Sequence, residues 1–194
     1  MDTRKIIAIS GKMRSGKDTF ADSFIPTAAG MGYDYSRVGF ADTLKIEVAE
    51  ELGITVEELT ARKDELRELL IVHGAKRRLE DILYWVKKAI PDEGNVVITD
   101  MRFRNEYDYL KGLRSDKMDV YFVRIEALTE MRARRGRIIE NDPSETDLDQ
   151  AVKWDQIIFN NGALKSYSAR CSVIATEIVT LIEGSSRYHN TMRC

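Results

Sequence analysis

Apolar positions along the chain follow two alternating rhythms. Short runs rich in β-branched residues, at 5–10, 36–40, 95–99, 120–125 and 156–159, have the length and bounding residues of buried strands. Between them the spacing turns helical. Phe20, Phe24 and Ile25 share a face with Ala21, and Leu44, Val48 and Leu52 share another that Gly53 ends. Thr55 to Glu58 is a capping-box start for a short helix. Two amphipathic helices follow, one with Leu66, Leu69, Leu70 and His73, the other with Leu79, Ile82, Leu83, Val86 and Ile90. Gly74 is expected to separate them, and the turn at 91–94 to end the second. Further helices are expected over 106–113 and 131–137. A long last helix carries Leu164, Tyr167, Cys171, Ile174, Ile178 and Leu181.

Strands alternating with helices predict an α/β fold, a central parallel sheet with helices on both faces. Ligands on such sheets bind at the carboxyl ends of the strands. A single domain is expected, with a core from 1–40, 95–128 and 154–184, a helical insert over 41–92 and a lid over 129–150.

Composition narrows the function classes. A net charge of −2 provides no global basic field to recruit nucleic acid, and no base-stacking motif is present, so any anion site is local. Cys171 and Cys194 are too few and too badly placed for a disulfide or metal framework. No apolar run approaches membrane-spanning length, and residues 1–5 lead straight into a core strand without a signal peptide. A cytoplasmic protein with reduced thiols is expected.

The chemistry starts at Gly11-Lys12-Met13-Arg14-Ser15-Gly16-Lys17-Asp18-Thr19, set between the first strand and the first helix. A Gly-x-x-x-x-Gly-Lys turn in that context is a phosphate-binding loop. Its N–H groups and the helix N-terminus attract phosphate, and Lys17 reaches the β- and γ-phosphates. The residue after the lysine is usually Ser or Thr, whose hydroxyl sits on Mg²⁺; here it is Asp18. Its carboxylate can hold a hard metal or simply favour the helix start.

The strand at 95–99 runs into Asp100, placed to hold Mg²⁺ or its waters, and Arg102 can reach a transferring phosphoryl group. Lys45, Arg67, Lys76, Arg77 and Arg78 read as a solvated helix face or as a clamp for a phosphorylated acceptor. Arg132, Arg134, Arg135 and Arg137, followed by a polar stretch, read as a lid that closes over phosphates. His73 on an apolar face and His189 in a polar tail have no metal-ligand neighbour in the sequence, and Cys171 fits core packing. Tyr84, Trp85 and Trp154 fit core packing better than a base pocket.

The chain resembles the bacteriophage-type deoxynucleoside monophosphate kinases of the P-loop nucleoside monophosphate kinase group. The resemblance rests on the loop at 11–19 and on Phe40-Ala41-Asp42-Thr43-Leu44-Lys45, Leu66-Arg67-Glu68-Leu69-Leu70 and Ile98-Thr99-Asp100-Met101-Arg102-Phe103-Arg104-Asn105-Glu106. Ser144-Glu145 and Ile158-Phe159-Asn160-Asn161-Gly162-Ala163-Leu164 complete it. Arg104 and Met101 depart from the proline and valine common in relatives.

The resemblance implies a P-loop kinase fold, ATP as donor, Mg²⁺ as cofactor, a deoxynucleoside monophosphate as acceptor and a homodimer, in a host cytoplasm if phage-encoded. It implies that Gly11, Arg14, Ser15, Gly16, Lys17, Asp18 and Thr19 hold ATP, with Asn160, Asn161 and Gly162 bordering the donor base. Asp42, Lys45, Arg67 and Arg78 would take the acceptor, and Asp18, Thr19 and Asp100 the metal. Lys17, Arg102, Arg132 and Arg135 would be catalytic. The rivals are another small-molecule P-loop kinase, such as a phosphomevalonate or dephospho-coenzyme A kinase, and a nucleotide-dependent switch.

Overall fold

The computed structural model describes residues 3–62, 65–115, 117–150 and 152–191. Met1, Asp2 and Cys194 fall outside these, and the side chain of His189 is not described. The elements in order are β1 (Arg4–Ser10), α1 (Lys17–Gly30), β2 (Tyr35–Val38), α2 (Phe40–Leu52), α3 (Val56–Ala61), α4 (Arg67–Glu80) and α5 (Tyr84–Ala89). They continue with β3 (Asn95–Met101), α6 (Arg104–Gly112), β4 (Met118–Glu126), α7 (Thr129–Arg134), α8 (Pro143–Thr146), β5 (Gln156–Phe159) and α9 (Leu164–Thr191). The chain forms two compact units: Met1–Arg37 with Glu93–Cys194, and Val38–Asp92.

The first unit holds the five-stranded sheet, in the order β2-β3-β1-β4-β5. β1 pairs in parallel with β3 and β4, and β4 with β5. Ile6 to Ile9 are fully buried, as a central strand covered on both faces requires. Ile7 and Ile9 pack with Phe20, Phe24 and Ala28 of α1 and with Tyr167, Cys171, Ala175, Ile178, Val179 and Ile182 of α9. Leu164 and Leu181, expected on that seam, are exposed; Ala175, Val179 and Ile182 are the buried positions there instead.

Pairing between β1 and β3 shifts register between Ala8–Ile98 and Ser10–Met101, so a bulge falls at Thr99–Asp100. The strand expected to end at Thr99 therefore continues to Met101. Asp100 and Arg102 follow this irregularity, and both act electrostatically on Lys17 of the turn after β1.

The second unit is helical. Val48, Ala49, Leu59 and Leu70 form its core, with Leu44, Ile54, Val56 and Leu66 packed against them. α2 begins at Phe40, expected as the last residue of the second strand, and Gly53 ends it in the left-handed conformation (φ 65°). The Thr55 side chain accepts from Glu58 N–H and caps α3.

Gly74 does not separate two helices. α4 runs through it, because Gly74 is a point of close approach: a Cβ there would meet Leu44 Cδ2 at 3.3 Å, and its carbonyl accepts from Trp85 Nε1 at 3.2 Å. The break comes instead at Asp81, whose carboxylate accepts from Leu83 N–H. With α4 in one piece, the expected second apolar face dissolves; Leu79 is 89% exposed and Ile82 62%, while Val86 stays buried. Among the described residues no helix is long and apolar enough to cross a membrane.

Candidate active site

The turn after β1 wraps into the N-terminus of α1. Gly16, at the N-cap, has φ 105°, and a Cβ there would strike the Asn160 amide and the Tyr167 ring (Cε1 at 2.9 Å). Only glycine fits. Arg14 adopts the left-handed conformation without being glycine (φ 61°), which stores backbone strain in the turn. Among the described residues no side chain caps α1, and Asp18 lies in its first turn.

Lys17 is buried, with Nζ donating to the carbonyls of Gly11 (2.7 Å) and Lys12 (3.1 Å). Burial pushes its pKa down to about 8, and Arg102 adds to the fall. Glu145, Asp18 and Asp100 oppose it. The lysine, the arginine and the three carboxylates thus share one electrostatic environment.

Arg102 is held from two sides. Its backbone N–H donates to Glu106 Oε2 (2.7 Å), which also accepts from Phe103 N–H. Its Nη1 donates to the Ser144 carbonyl and pairs with Glu145. Glu145 is buried, and its other oxygen accepts from Met13 N–H in the phosphate loop. α8, which carries Glu145, is capped by Asp142, whose carboxylate accepts from Ser144 N–H.

Asp18 is exposed and pairs with Arg37 of β2, which also bonds Asp22 at 2.7 Å. Asp18, Thr19 and Asp100 offer only oxygen donors, and both carboxylates act on Lys17, so this set fits a hard cation beside bound phosphate.

Of the four arginines at 132–137, two reach the loop through their side chains. Arg132 is buried; Nη1 donates to Met13 O (3.4 Å), and Nη2 to Thr129 Oγ1 and Glu140 Oε1. Arg135 donates to Arg14 O (2.9 Å) and Asn160 O (2.8 Å). Arg134 turns outward over Met131, and Arg137 is exposed, its carbonyl accepting from Arg14 Nε. Asn160 is buried and donates through Nδ2 to Ser15 O (2.8 Å), while Asn161 accepts from Leu128 N–H. A Cβ at Gly162 would meet nothing within 4 Å. Three buried polar atoms lack a partner among the described residues: Ser15 Oγ, Arg132 Nε and Asn160 Oδ1. All three sit on or against the loop.

The expected acceptor residues lie on the helical unit. Lys45 pairs with Asp42 at 2.7 Å, and Arg67 and Arg78 are exposed on α4. His73 does have neighbours of metal-ligand type, contrary to expectation: Nε2 lies 2.8 Å from Glu47 and Nδ1 3.3 Å from Glu51. The turn of α2 that brings these glutamates onto α4 left no sign in local spacing. Arg77 and Lys88 also pair with Glu47, so its charge is already balanced by cations. Burial opposes ionisation of Glu47, yet hydrogen bonds from Lys88, Tyr84, His73 and Arg77 hold it far below the usual carboxylate range. Trp85 is buried, as core packing predicts, whereas Tyr84 is half-buried with its hydroxyl donating to Glu47.

Sequence reasoning gave no role to Glu145, Asp149 or Arg124. Asp149 joins Lys12 of the loop (2.6 Å) to the buried Arg124 (2.8 Å), which also reaches Ser10 Oγ. The Ser144-Glu145 pair was the one available signal; the others depend on chain folding over more than twenty residues.

The phosphomevalonate kinase family model matches residues 9–116, over half of the chain, taking in the loop, the helical unit, β3 and α6. The chain belongs to the phosphomevalonate kinase family. Its chemistry is ATP-dependent phosphoryl transfer by a small-molecule P-loop kinase. No curated protein matches this family member in sequence. Among solved structures, it is similar in fold to the APS kinase CysC of Mycobacterium tuberculosis in complex with AMPPNP and APS, with 15% identity, a TM-score of 0.54, and 94% of this chain and 99% of that one covered. A gluconokinase from Sinorhizobium meliloti 1021 aligns with 14% identity and a TM-score of 0.46, over 96% and 99% of the two chains.

Proposed function

We propose that the protein transfers the γ-phosphoryl group of ATP to the 5′-phosphate of a deoxynucleoside monophosphate, giving ADP and the deoxynucleoside diphosphate. The reading rests on one observation. Three segments of the resemblance that are far apart in sequence meet at the phosphate loop: Asp100–Glu106 through Arg102, Ser144–Glu145 through Met13 N–H, and Asn160 through Ser15 O.

In-line transfer breaks the bond between the γ-phosphorus and the β–γ bridging oxygen and forms one to an acceptor phosphate oxygen. That oxygen is already ionised, so no protein nucleophile or general base is needed. Gly11, Ser15, Gly16 and Lys17 cradle the donor phosphates, with Arg14 and the Asn160–Asn161–Gly162 loop bordering the nucleotide. Arg102, Arg132 and Arg135 offset charge on the transferred group. Asp42, Lys45, Arg67 and Arg78 hold the acceptor. Asp18, Thr19 and Asp100 would hold Mg²⁺, which when bound neutralises phosphate charge.

A second reading follows from the family match: phosphomevalonate as acceptor, also a phosphate monoester. A coupled ADP-release assay with each deoxy- and ribonucleoside monophosphate and with phosphomevalonate separates the two. The proposal expects stimulation by at least one deoxynucleoside monophosphate; stimulation by phosphomevalonate alone selects the second reading.

A further inference from the structure

We infer that Glu145 is a positioning residue for phosphoryl transfer, fixing Arg102 to the phosphate loop. The inference rests on Arg102 acting on the transferred group. One carboxylate spans both elements: one oxygen pairs with Arg102 Nη1, the other accepts from Met13 N–H. Both bonds carry charge, and such bonds hold geometry more firmly than neutral ones.

Simple stability does not account for this group. A buried anion pressed on an anion-binding loop repels the phosphates the loop exists to hold, and a buried ion pair is weak as a stabilising device. The charge has a use if Arg102 must be held in place while its other edge stays available. Among the described residues, Arg102 Nε and Nη2 make no protein hydrogen bond, and its backbone is already tied down by Glu106. The short α8, capped by Asp142, delivers Glu145 to this point.

The test is a double-mutant cycle on the whole protein, read by single-turnover rate at saturating ATP and by the KM for ATP, with melting curves for each variant. Glu145→Gln should lower the rate at least about tenfold with KM changed less than about threefold, while Arg102→Ala should lower it at least as much. Adding Glu145→Gln to Arg102→Ala should change the rate by less than about twofold, because Glu145 acts through Arg102. Losses that multiply, or a Glu145→Gln variant at the normal rate beside a slow Arg102→Ala, overturn the inference. A normal rate for Arg102→Ala overturns the role of Arg102 beneath it. Should Glu145→Gln fail to fold, Glu145→Asp keeps the charge one methylene short, and a normal rate in that variant likewise counts against Glu145.

Discussion

Arg14 and Arg135 hold each other by their backbones. Arg14 Nη1 donates to the Arg135 carbonyl (2.7 Å), and Arg135 Nη1 donates to the Arg14 carbonyl (2.9 Å). Each guanidinium sits on the other's main chain, and Arg14 Nε also donates to the Arg137 carbonyl, three residues past the end of α7. The strained turn at Arg14 is thereby braced from α7 and, through Asn160, from the end of β5.

Arg135→Ala removes that brace and should weaken ATP binding at least about fivefold while also slowing turnover, the loss expected of about 1 kcal/mol in each. Arg135→Lys can restore one of its bonds but not the fork. Arg134→Ala, which faces outward, should leave both unchanged. Equilibrium ATP binding beside kcat for the three variants checks this; equal effects of Arg134→Ala and Arg135→Ala would contradict it.

Lys17→Ala should remain folded and lose at least about a hundredfold in turnover, the scale for removing one preorganised charge-stabilising donor. Kinetics and a melting curve on the purified variant measure it.

The lowered pKa of Lys17 sets a pH dependence for ATP binding. Its ammonium, facing Arg102, Glu145, Asp18 and Asp100, loses its proton near pH 8 in the free protein. Bound phosphate favours the charged form and raises that value, so protons are taken up on binding above pH 8. The Kd for ATP should therefore be flat below about pH 7.5 and rise by up to about tenfold per pH unit above 8. In Lys17→Ala that rise should vanish. Calorimetry across pH 6.5–9.5 reads it.

Gly16→Ala puts a side chain at φ 105° and against the Tyr167 ring and the Asn160 amide. Left-handed strain alone costs about 1–3 kcal/mol. The variant should melt lower than the wild type and bind ATP at least about tenfold more weakly, both measurable by thermal shift with and without nucleotide.

Glu47 gives the helical unit an acid-sensitive anchor. Its folded pKa is depressed, so its contribution is fully present above the ordinary carboxylate range and is lost as pH falls below it. Glu47→Gln should be less stable at pH 7, and its melting temperature should fall less than that of the wild type between pH 5 and 3. Removing the carboxylate altogether takes from Lys88 its ion pair, while Arg77 keeps Glu80 and Glu51; Glu47→Ala should melt lower than Glu47→Gln at pH 7.

Local pattern was enough for the strand–loop–helix at 4–30, because strand period, glycine spacing and helix start all lie within a few residues of one another. It was enough to mark 132–137 as a basic segment, but not to say which arginines reach the loop, since that depends on distant carbonyls at Met13, Arg14 and Asn160. It failed at Gly74, where glycine serves packing against Leu44 across a helix pair; as a local signal the same residue reads as a breaker. It failed at Leu79 and Ile82, apolar residues with helical spacing that the fold leaves in solvent. Glu145, Asp149 and the Glu47–His73 contact are long-range ion pairs and hydrogen bonds, and charge along a sequence does not say which opposite charge it will meet.

The measurement closest to the central claim is product stoichiometry by phosphorus NMR, with the protein, ATP, Mg²⁺ and each deoxynucleoside monophosphate in turn. The account predicts ADP and a deoxynucleoside diphosphate accumulating in equal amounts with at least one acceptor, without inorganic phosphate. ADP appearing only with inorganic phosphate, whatever acceptor is present, would contradict it.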